Sequence, residues 1–316
     1  MNINLHSRKT KIIGIILRVI TGLFFIFSAI SKLYPVEFFE YSLVGDHLAT
    51  WSTAGIFARL IIGFELFLGI SFLANFEFRK LIVWAGIVLT SIFTIYLFLV
   101  LLLKGNEPNC NCFGQAIRIS VSASLLKNCF LLIVLWSINR ISIGFTYRFP
   151  RIILSSALII SITSIFILNP INKDFANAAD ESDKGFKLDL DFLYHNKNYK
   201  RPEVALNKGK HIVALLSLSC PHCRVAALKI NILKKNNPQL PIYFLLNGDS
   251  SELHEFYEDT QTEAIPSNII PDSRFITLSG LSVPAIFFEK DGIVEQRVDY
   301  INLSEKMITD WMMSKH

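Results

Sequence analysis

The sequence predicts a multi-domain protein: an all-α bundle of four transmembrane helices with a fifth membrane span, followed by an α/β domain. Three observations predict it. The 316 residues are 52% hydrophobic and only 18% charged, with a mean hydropathy of +0.43, which excludes a disordered chain and is too apolar for an ordinary water-soluble one. Charge is unevenly divided, residues 1–170 holding 14 Lys/Arg against 6 Asp/Glu and residues 171–316 holding 17 against 20. The net charge of +5 is therefore +8 in a charge-poor half and −3 in a charge-rich half, so the overall basicity does not mark a nucleic-acid binder. Finally, long apolar stretches fill the first half, while strand and helix patterns alternate in the second. The 5 cysteines are too few for a disulfide scaffold.

Five stretches suit the roughly 20 residues a bilayer-spanning helix needs. The first lies between Lys11 and Lys32, interrupted by Arg18; the second runs from Gly55 to Asn75 and holds Arg59 and Glu65. The third, Leu81 to Leu103, is uncharged between Lys80 and Lys104; the fourth, Val121 to Asn139, holds Lys127 near its start; the fifth, Ile152 to Asn169, ends at Pro170. Buried helices of a large soluble core are the alternative, and uncharged runs of this length weigh against it. Arg8, Lys9, Lys11, Arg79, Lys80, Arg140, Arg148 and Arg151 all fall on one side of such a bundle, which the positive-inside bias makes cytoplasmic. The opposite loops, about 33–54 and 105–120, contribute only Arg118 besides the helix-end Lys32 and Lys104. This predicts a multi-pass protein of a bacterial inner membrane, N-terminus inside and C-terminal half in the periplasm. The domains expected are 1–145 (four spans), 146–170 (fifth span), 171–185 (linker) and 186–316 (extracytoplasmic).

The first stretch is too long for a removable signal peptide, and no small-residue cleavage site follows it. Arg151, the fifth stretch and Ala176-Asn177-Ala178 loosely resemble an export signal, but an uncleaved span with a small-residue linker is the reading taken. Ionisable groups inside the hydrocarbon need a reason. At 1.5 Å per residue Arg18 lies about 9 Å, and Glu65 about 14 Å, from the inner ends of their helices, which predicts an intramembrane ion pair between them, structural or a proton relay. Arg59 and Lys127, nearer the outer ends, are expected to snorkel to the interface.

In the second half, His211 to Leu218 reads as a buried strand, Ser219-Cys220-Pro221-His222-Cys223 follows, and Arg224 to Lys234 has helical spacing. A second strand is expected over 242–246, a hairpin from Val283-Pro284 through the turn Lys290-Asp291-Gly292 to Val298, and a terminal helix over 303–313. Strand, Cys-x-x-Cys and helix in immediate succession form the pattern of a redox site. Thiol–disulfide exchange needs an exposed cysteine of lowered pKa. Cys220 stands at a helix N-terminus, where unpaired N–H groups and the dipole favour a thiolate. Pro221 suits the first turn because its missing N–H leaves no bond unmade. His222 adds a positive or hydrogen-bonding group, and Cys223, one turn on, resolves the mixed disulfide. Zinc is the main alternative, but no second cysteine pair or suitably spaced histidine follows this motif to complete four ligands, so no metal is expected.

These residues resemble the thioredoxin superfamily over about 186–316. Cys220-Pro221-His222-Cys223 is similar to the dipeptide variant of DsbA-type oxidants, and the layout is similar to membrane-anchored TlpA-like thioredoxins. The resemblance implies that Pro284 is a cis-proline lying against the Cys-x-x-Cys and helping to hold a substrate chain. The strand 212–218 lacks the buried acid of thioredoxin itself.

A second thiol pair, Asn109-Cys110-Asn111-Cys112-Phe113-Gly114, lies in a loop on the predicted outer side, where a labile C-x-C disulfide is plausible. Cys129, about 10 Å inside the fourth helix, is either packing or an exchange partner, and it is the one candidate for a thiol beside a quinone. Cys-x-Cys-Phe-Gly between apolar spans, with Leu17-Arg18, Gly22, Phe25, Lys32, Glu65-Leu66 and Gly69, resembles the MauE/DoxX group over about 12–142. That resemblance implies an accessory role in disulfide formation or maturation of exported proteins, with methylamine metabolism as the family context.

Together these readings predict a membrane-bound thiol–disulfide oxidoreductase, exchanging disulfides between exported thiol proteins, Cys220/Cys223 and Cys110/Cys112. A quinone of the bilayer is the candidate acceptor, as in VKOR–thioredoxin fusions, which the layout resembles; only Cys129 could stand for their second membrane pair. A maturation factor or chaperone without turnover, and an outward carrier of reductant, are the alternatives.

Overall fold

The computed structural model describes residues 2–74, 79–107, 114, 117–141, 150–171, 185–196, 199–280 and 282–314. The chain divides into two compact units, Met1–Ile171 and Asn172–His316.

The first unit is helical: α1 (Asn2–Ser31), α2 (Val36–Gly45), α3 (Ala54–Ala74), α4 (Arg79–Lys104), α5 (Val121–Ile141) and α6 (Pro150–Leu168). Ile12–Ser31, Ala54–Ala74, Leu81–Lys104 and Val121–Ile141 are long and apolar enough to cross a bilayer. The expected fifth span is the helix α6, whose apolar part, Ile152–Leu168, is shorter. Large side chains such as Ile20 (58% exposed), Leu126 (74%) and Ile159 (64%) stand on the outer surface, tolerable only where lipid replaces water. This is a multi-pass membrane protein. The segment read as a loop between the first two spans holds α2, whose Phe38, Phe39, Tyr41, Leu43 and Val44 are buried.

The helices approach closely where side chains are absent. A Cβ on Gly69 would lie 2.5 Å from Ile26 Cγ1 and 2.9 Å from the Gly22 carbonyl, and one on Gly63 would lie 2.8 Å from the Cα of Ile162. Glycine therefore sets the α1–α3 and α3–α6 crossings, since small residues let backbones meet in lipid.

That crossing corrects the expected Arg18–Glu65 pair. Arg18 is four residues from Gly22 and Glu65 four from Gly69, in opposite directions along antiparallel helices, about 12 Å apart along the axis. Side chains also lean toward their own helix N-terminus, so these two lean away from each other. Lys32 and Glu65 lean together instead. Lys32 Nζ donates to both Glu65 carboxylate oxygens at 3.0 and 2.9 Å, and to Ser28 Oγ at 2.7 Å and the Ser28 carbonyl at 3.1 Å. Both side chains are at most 5% exposed, so the pair survives because every ammonium proton has an acceptor. Arg59, expected to snorkel, is buried as well. It pairs with Glu40 and donates to the carbonyls of Gly55 at 2.8 Å, Asn169 at 2.5 Å and Pro170 at 3.1 Å. The arginine satisfies carbonyls just past the C-terminal end of α6, where orphan acceptors and negative dipole collect.

The second unit is an α/β fold around a five-stranded sheet of order β3-β2-β1-β4-β5, with β1 Lys210–Ser217, β2 Ile242–Asn247, β3 Ser267–Ile269, β4 Ala285–Lys290 and β5 Ile293–Val298. β1 pairs parallel with β2, and β2 parallel with β3, while β4 runs antiparallel to both β1 and β5. Ile212 to Leu216 are 0% exposed: a central strand covered on both faces requires an unbroken apolar run. Its helices are α7 (Phe192–His195), α8 (Pro221–Asn236), α9 (Leu253–Thr260), α10 (Ser273–Ser279) and α11 (Glu305–Met313). Val213, Leu215, Tyr243, Leu245 and Phe287 pack with Leu193 and Phe275 on one face, and on the other Phe288 meets Trp311 at 4.8 Å between centroids. Asp291 (φ 53°) and Gly292 (φ 81°) make the β4–β5 turn, the left-handed pair that matches hairpin twist. The architecture is thioredoxin-like, with β3, α9 and α10 filling the stretch between β2 and β4.

Candidate functional site

β1 ends at Ser217, and a two-residue turn delivers Cys220 to the start of α8. Cys220 is the extended N-cap residue (φ −83°, ψ 120°), and Pro221 opens the first turn. The Cys220 carbonyl accepts from Arg224 N–H at 3.2 Å, the first helical bond. Helical phase then turns Cys223 inward to 0% exposure, while Cys220 stays partly exposed. Both are free thiols.

The two thiols differ strongly. Cys220 is lowered to about 6, chiefly by the Cys223 S–H donating to it, then by the backbone N–H groups of Cys223 and His222 and by the His222 charge; partial burial opposes. Cys223 is pushed well above the ordinary thiol range because its proton is held by Cys220 and because it is buried. Unpaired N–H groups at a helix N-terminus are where a thiolate is stabilised. His222 Nδ1 lies 3.3 Å from the Tyr300 hydroxyl.

The Val283–Pro284 peptide bond is cis, as the thioredoxin resemblance implies. β1 and β4 remain paired up to Leu215 and Ala285, and continuing that register brings Pro284 beside Leu216, near the strand end that leads into Cys220. Arg224, which the sequence reading left unassigned, braces this corner. Its Nε donates to the Leu218 carbonyl at 3.0 Å, Nη2 to Glu255 at 3.0 Å, and Nη1 to Asp259. The signal available in the sequence was Glu255 and Asp259, four apart on one helix face. Tyr300 gave no such signal, because it reaches His222 from beyond β5.

In the membrane unit, Cys110 and Cys112 lie outside the described residues. Gly114, which closes their motif, is described: it is buried with φ 57°, and a Cβ there would lie 2.7 Å from the Ser31 carbonyl. Only glycine combines that conformation with so close an approach. Cys129 is exposed on α5, while its neighbour Asn128 faces inward. Arg18 is buried, and Glu65 faces Lys32. Among the described residues no group of three or more His, Cys, Asp or Glu is placed to hold a metal ion.

Fold and site together define a multi-pass membrane protein whose second unit is a thioredoxin-like α/β domain with a Cys-x-x-Cys at a helix N-terminus. Residues 10–140 match the family model described as "Methylamine utilisation protein MauE". Protein TlpB of Flavobacterium psychrophilum is 25% identical over 306 residues, spanning 81% of this chain and 82% of that protein. Two solved structures align with 33% of the chain. One is a secreted Mycobacterium tuberculosis disulfide oxidoreductase homologous to E. coli DsbE, at 13% identity, 80% of its own chain and a TM-score of 0.28. The other, M. tuberculosis DsbF in mixed oxidized and reduced forms, has 18% identity, 81% coverage of its chain and a TM-score of 0.28.

Proposed function

We propose that this protein oxidises exported thiol proteins on the outer face of a bacterial inner membrane, and that the membrane unit reoxidises its thioredoxin-like domain. The observation that carries the reading is the asymmetry of Cys220 and Cys223: one partly exposed with its pKa lowered, the other buried with its pKa raised. A substrate thiolate attacks Sγ of Cys220 in the Cys220–Cys223 disulfide, and Cys223 leaves and takes a proton. The second substrate thiol then breaks the mixed disulfide, releasing oxidised substrate and the Cys220 thiolate, a good leaving group because its pKa is low. A stabilised reduced form makes the disulfide the stronger oxidant.

The return half uses Cys110 and Cys112. The Cys220 thiolate attacks their disulfide and displaces one of the two; Cys223, losing its proton, attacks Cys220 and displaces the other. The Cys220–Cys223 disulfide re-forms and a Cys110/Cys112 dithiol remains. A flexible linker of about 16 residues would in general reach roughly 22 Å and hold effective concentration near millimolar, which favours internal exchange over free encounter.

Replacing Cys223 by Ser removes the resolving thiol, so Cys223→Ser is expected to accumulate a disulfide between Cys220 and Cys110 or Cys112. Peptide mass spectrometry of the alkylated, unreduced variant reads it directly. Absence of that linkage, within one chain or between two, overturns the relay.

A further inference from the structure

His222 lies between the two thiols in sequence, and its side chain is exposed. Exposed side chains change rotamer quickly unless a partner holds them. The partner here is Tyr300. Its ring is buried, at 7% exposure, and its hydroxyl lies 3.3 Å from His222 Nδ1. The two ring centroids are 6.5 Å apart, with the planes inclined at 42°.

Tyr300 stands on a fixed support. β5 ends at Val298, and the Asp299 carbonyl then accepts from the N–H groups of Asn302 and Leu303, each at 3.1 Å. The Asp299 carboxylate accepts from Ile301 N–H at 2.8 Å, and Lys229 Nζ of α8 donates to the Ile301 carbonyl at 2.7 Å. His222 and Lys229 are two helical turns apart and so share a face of α8, which is strapped to this turn at both. The charged groups of the strap, Asp299 and Lys229, are engaged with backbone. What the turn offers the imidazole is a neutral phenol, donor and acceptor at once.

A phenol serves either charge state of the ring. Neutral imidazole accepts the phenolic proton at Nδ1, which places its own proton on Nε2; imidazolium donates from Nδ1 to the phenolic oxygen and also carries a proton on Nε2. The His222 charge is one cause that lowers Cys220, after the Cys223 thiol and the backbone N–H groups. A histidine charge is ordinarily lost above about pH 6.5, whereas an Nε2 proton fixed in this way remains.

From this geometry we infer that Tyr300 is a positioning residue: its hydroxyl holds the His222 ring in the Nε2–H form beside Cys220, so that the ring still stabilises the thiolate without its charge. The inference rests on the proposed oxidant reading, in which a stabilised reduced form makes the disulfide the stronger oxidant.

The test is the equilibrium in which the Cys220–Cys223 disulfide and two glutathione thiols give the dithiol and glutathione disulfide. It is measured on the full chain in lipid nanodiscs at about pH 8, above the ordinary histidine range, by alkylation and mass spectrometry of the Cys220–Cys223 peptide. Tyr300→Phe keeps the ring and removes the hydroxyl. It should shift the equilibrium about three- to tenfold toward the protein disulfide, the worth of one hydrogen bond. In a His222→Ala background the same replacement should shift nothing. Equal equilibria for parent and Tyr300→Phe overturn the assignment. So does a shift that persists in full without His222, since Tyr300 would then act through the fold alone. Nitrogen NMR of the parent chain with isotope-labelled histidine needs no Tyr300 variant: the signal lost in His222→Ala should report a proton on Nε2, and a proton on Nδ1 alone overturns the assignment. A Cys223→Ser trap that forms while Tyr300→Phe matches the parent leaves the relay standing and the role of Tyr300 refuted; a shifted equilibrium without a trap does the reverse.

Discussion

At the scale of single residues, reactivity rests on how one proton is shared. The Cys223 S–H donates to Cys220, and the first-turn N–H groups and His222 add to it, so the thiolate of Cys220 is the favoured form at neutral pH. Alkylation of the reduced chain by iodoacetamide should rise about tenfold per pH unit below pH 6 and level off above it, because only the thiolate reacts. Cys223→Ala removes the largest contribution and should move the inflection up toward the ordinary thiol value of about 8.5. An inflection unmoved by that change would show that backbone N–H groups alone set the pKa. The sign of the stability linkage follows. The folded pKa is depressed, so the stabilisation of the reduced form is fully present above the unfolded thiol value and lost as pH falls through about 6. The pair Cys220/Cys223 was legible in the sequence because strand, motif and helix are contiguous there. The partner of Glu65 was not, since depth along separate helices says nothing about the direction side chains lean; Lys32, counted as a helix-end charge, leans inward.

At the scale of elements, the bundle is tied by places where one helix lacks a side chain. Replacing Gly69 by Leu would put a Cβ 2.5 Å from Ile26 Cγ1 and should force α1 from α3, at a cost of about 1–3 kcal/mol for overpacking. Heat-induced unfolding in detergent should then occur several degrees lower, while Ile159→Leu, on an exposed face of α6, should leave it unchanged. Equal melting of both variants would mean that α1 and α3 do not meet at Gly22 and Gly69. Elements with long periodic signals were readable: the spans, β1, α8 and the Asp291-Gly292 hairpin. α2 was not, because ten residues between Pro35 and Asp46 that are apolar on nearly every side show little helical alternation. β3 is three residues long, too short for a period of two to register.

At the scale of the whole molecule, the proposed relay requires both thiol couples to face one compartment. The charge pattern of the sequence supports this: Arg8, Lys9, Lys11, Arg79, Lys80, Arg140, Arg148 and Arg151 fall in segments that the positive-inside bias assigns to one side, Cys110 and Cys112 in a segment it assigns to the other, and a fifth crossing, as proposed, would bring the C-terminal unit to that second side. The fifth crossing is decisive, because four would return Cys220 to the cytoplasmic side. α6 is the shortest of these helices, yet it packs along α3 through Gly63 and Ile162, and Arg59 holds the carbonyls of Asn169 and Pro170 that follow it, as suits a helix belonging to the bundle. After mild reduction of intact cells, a membrane-impermeant maleimide should therefore label Cys110, Cys112 and Cys220 together, with Cys129, exposed on a lipid-facing helix, left unmodified. Cys223 should react only after unfolding. Label on Cys110 and Cys112 with Cys220 reached only after the inner membrane is permeabilised would mean that α6 does not cross. The domain would then face a reducing compartment, where a stabilised Cys220 thiolate has no exported protein to oxidise.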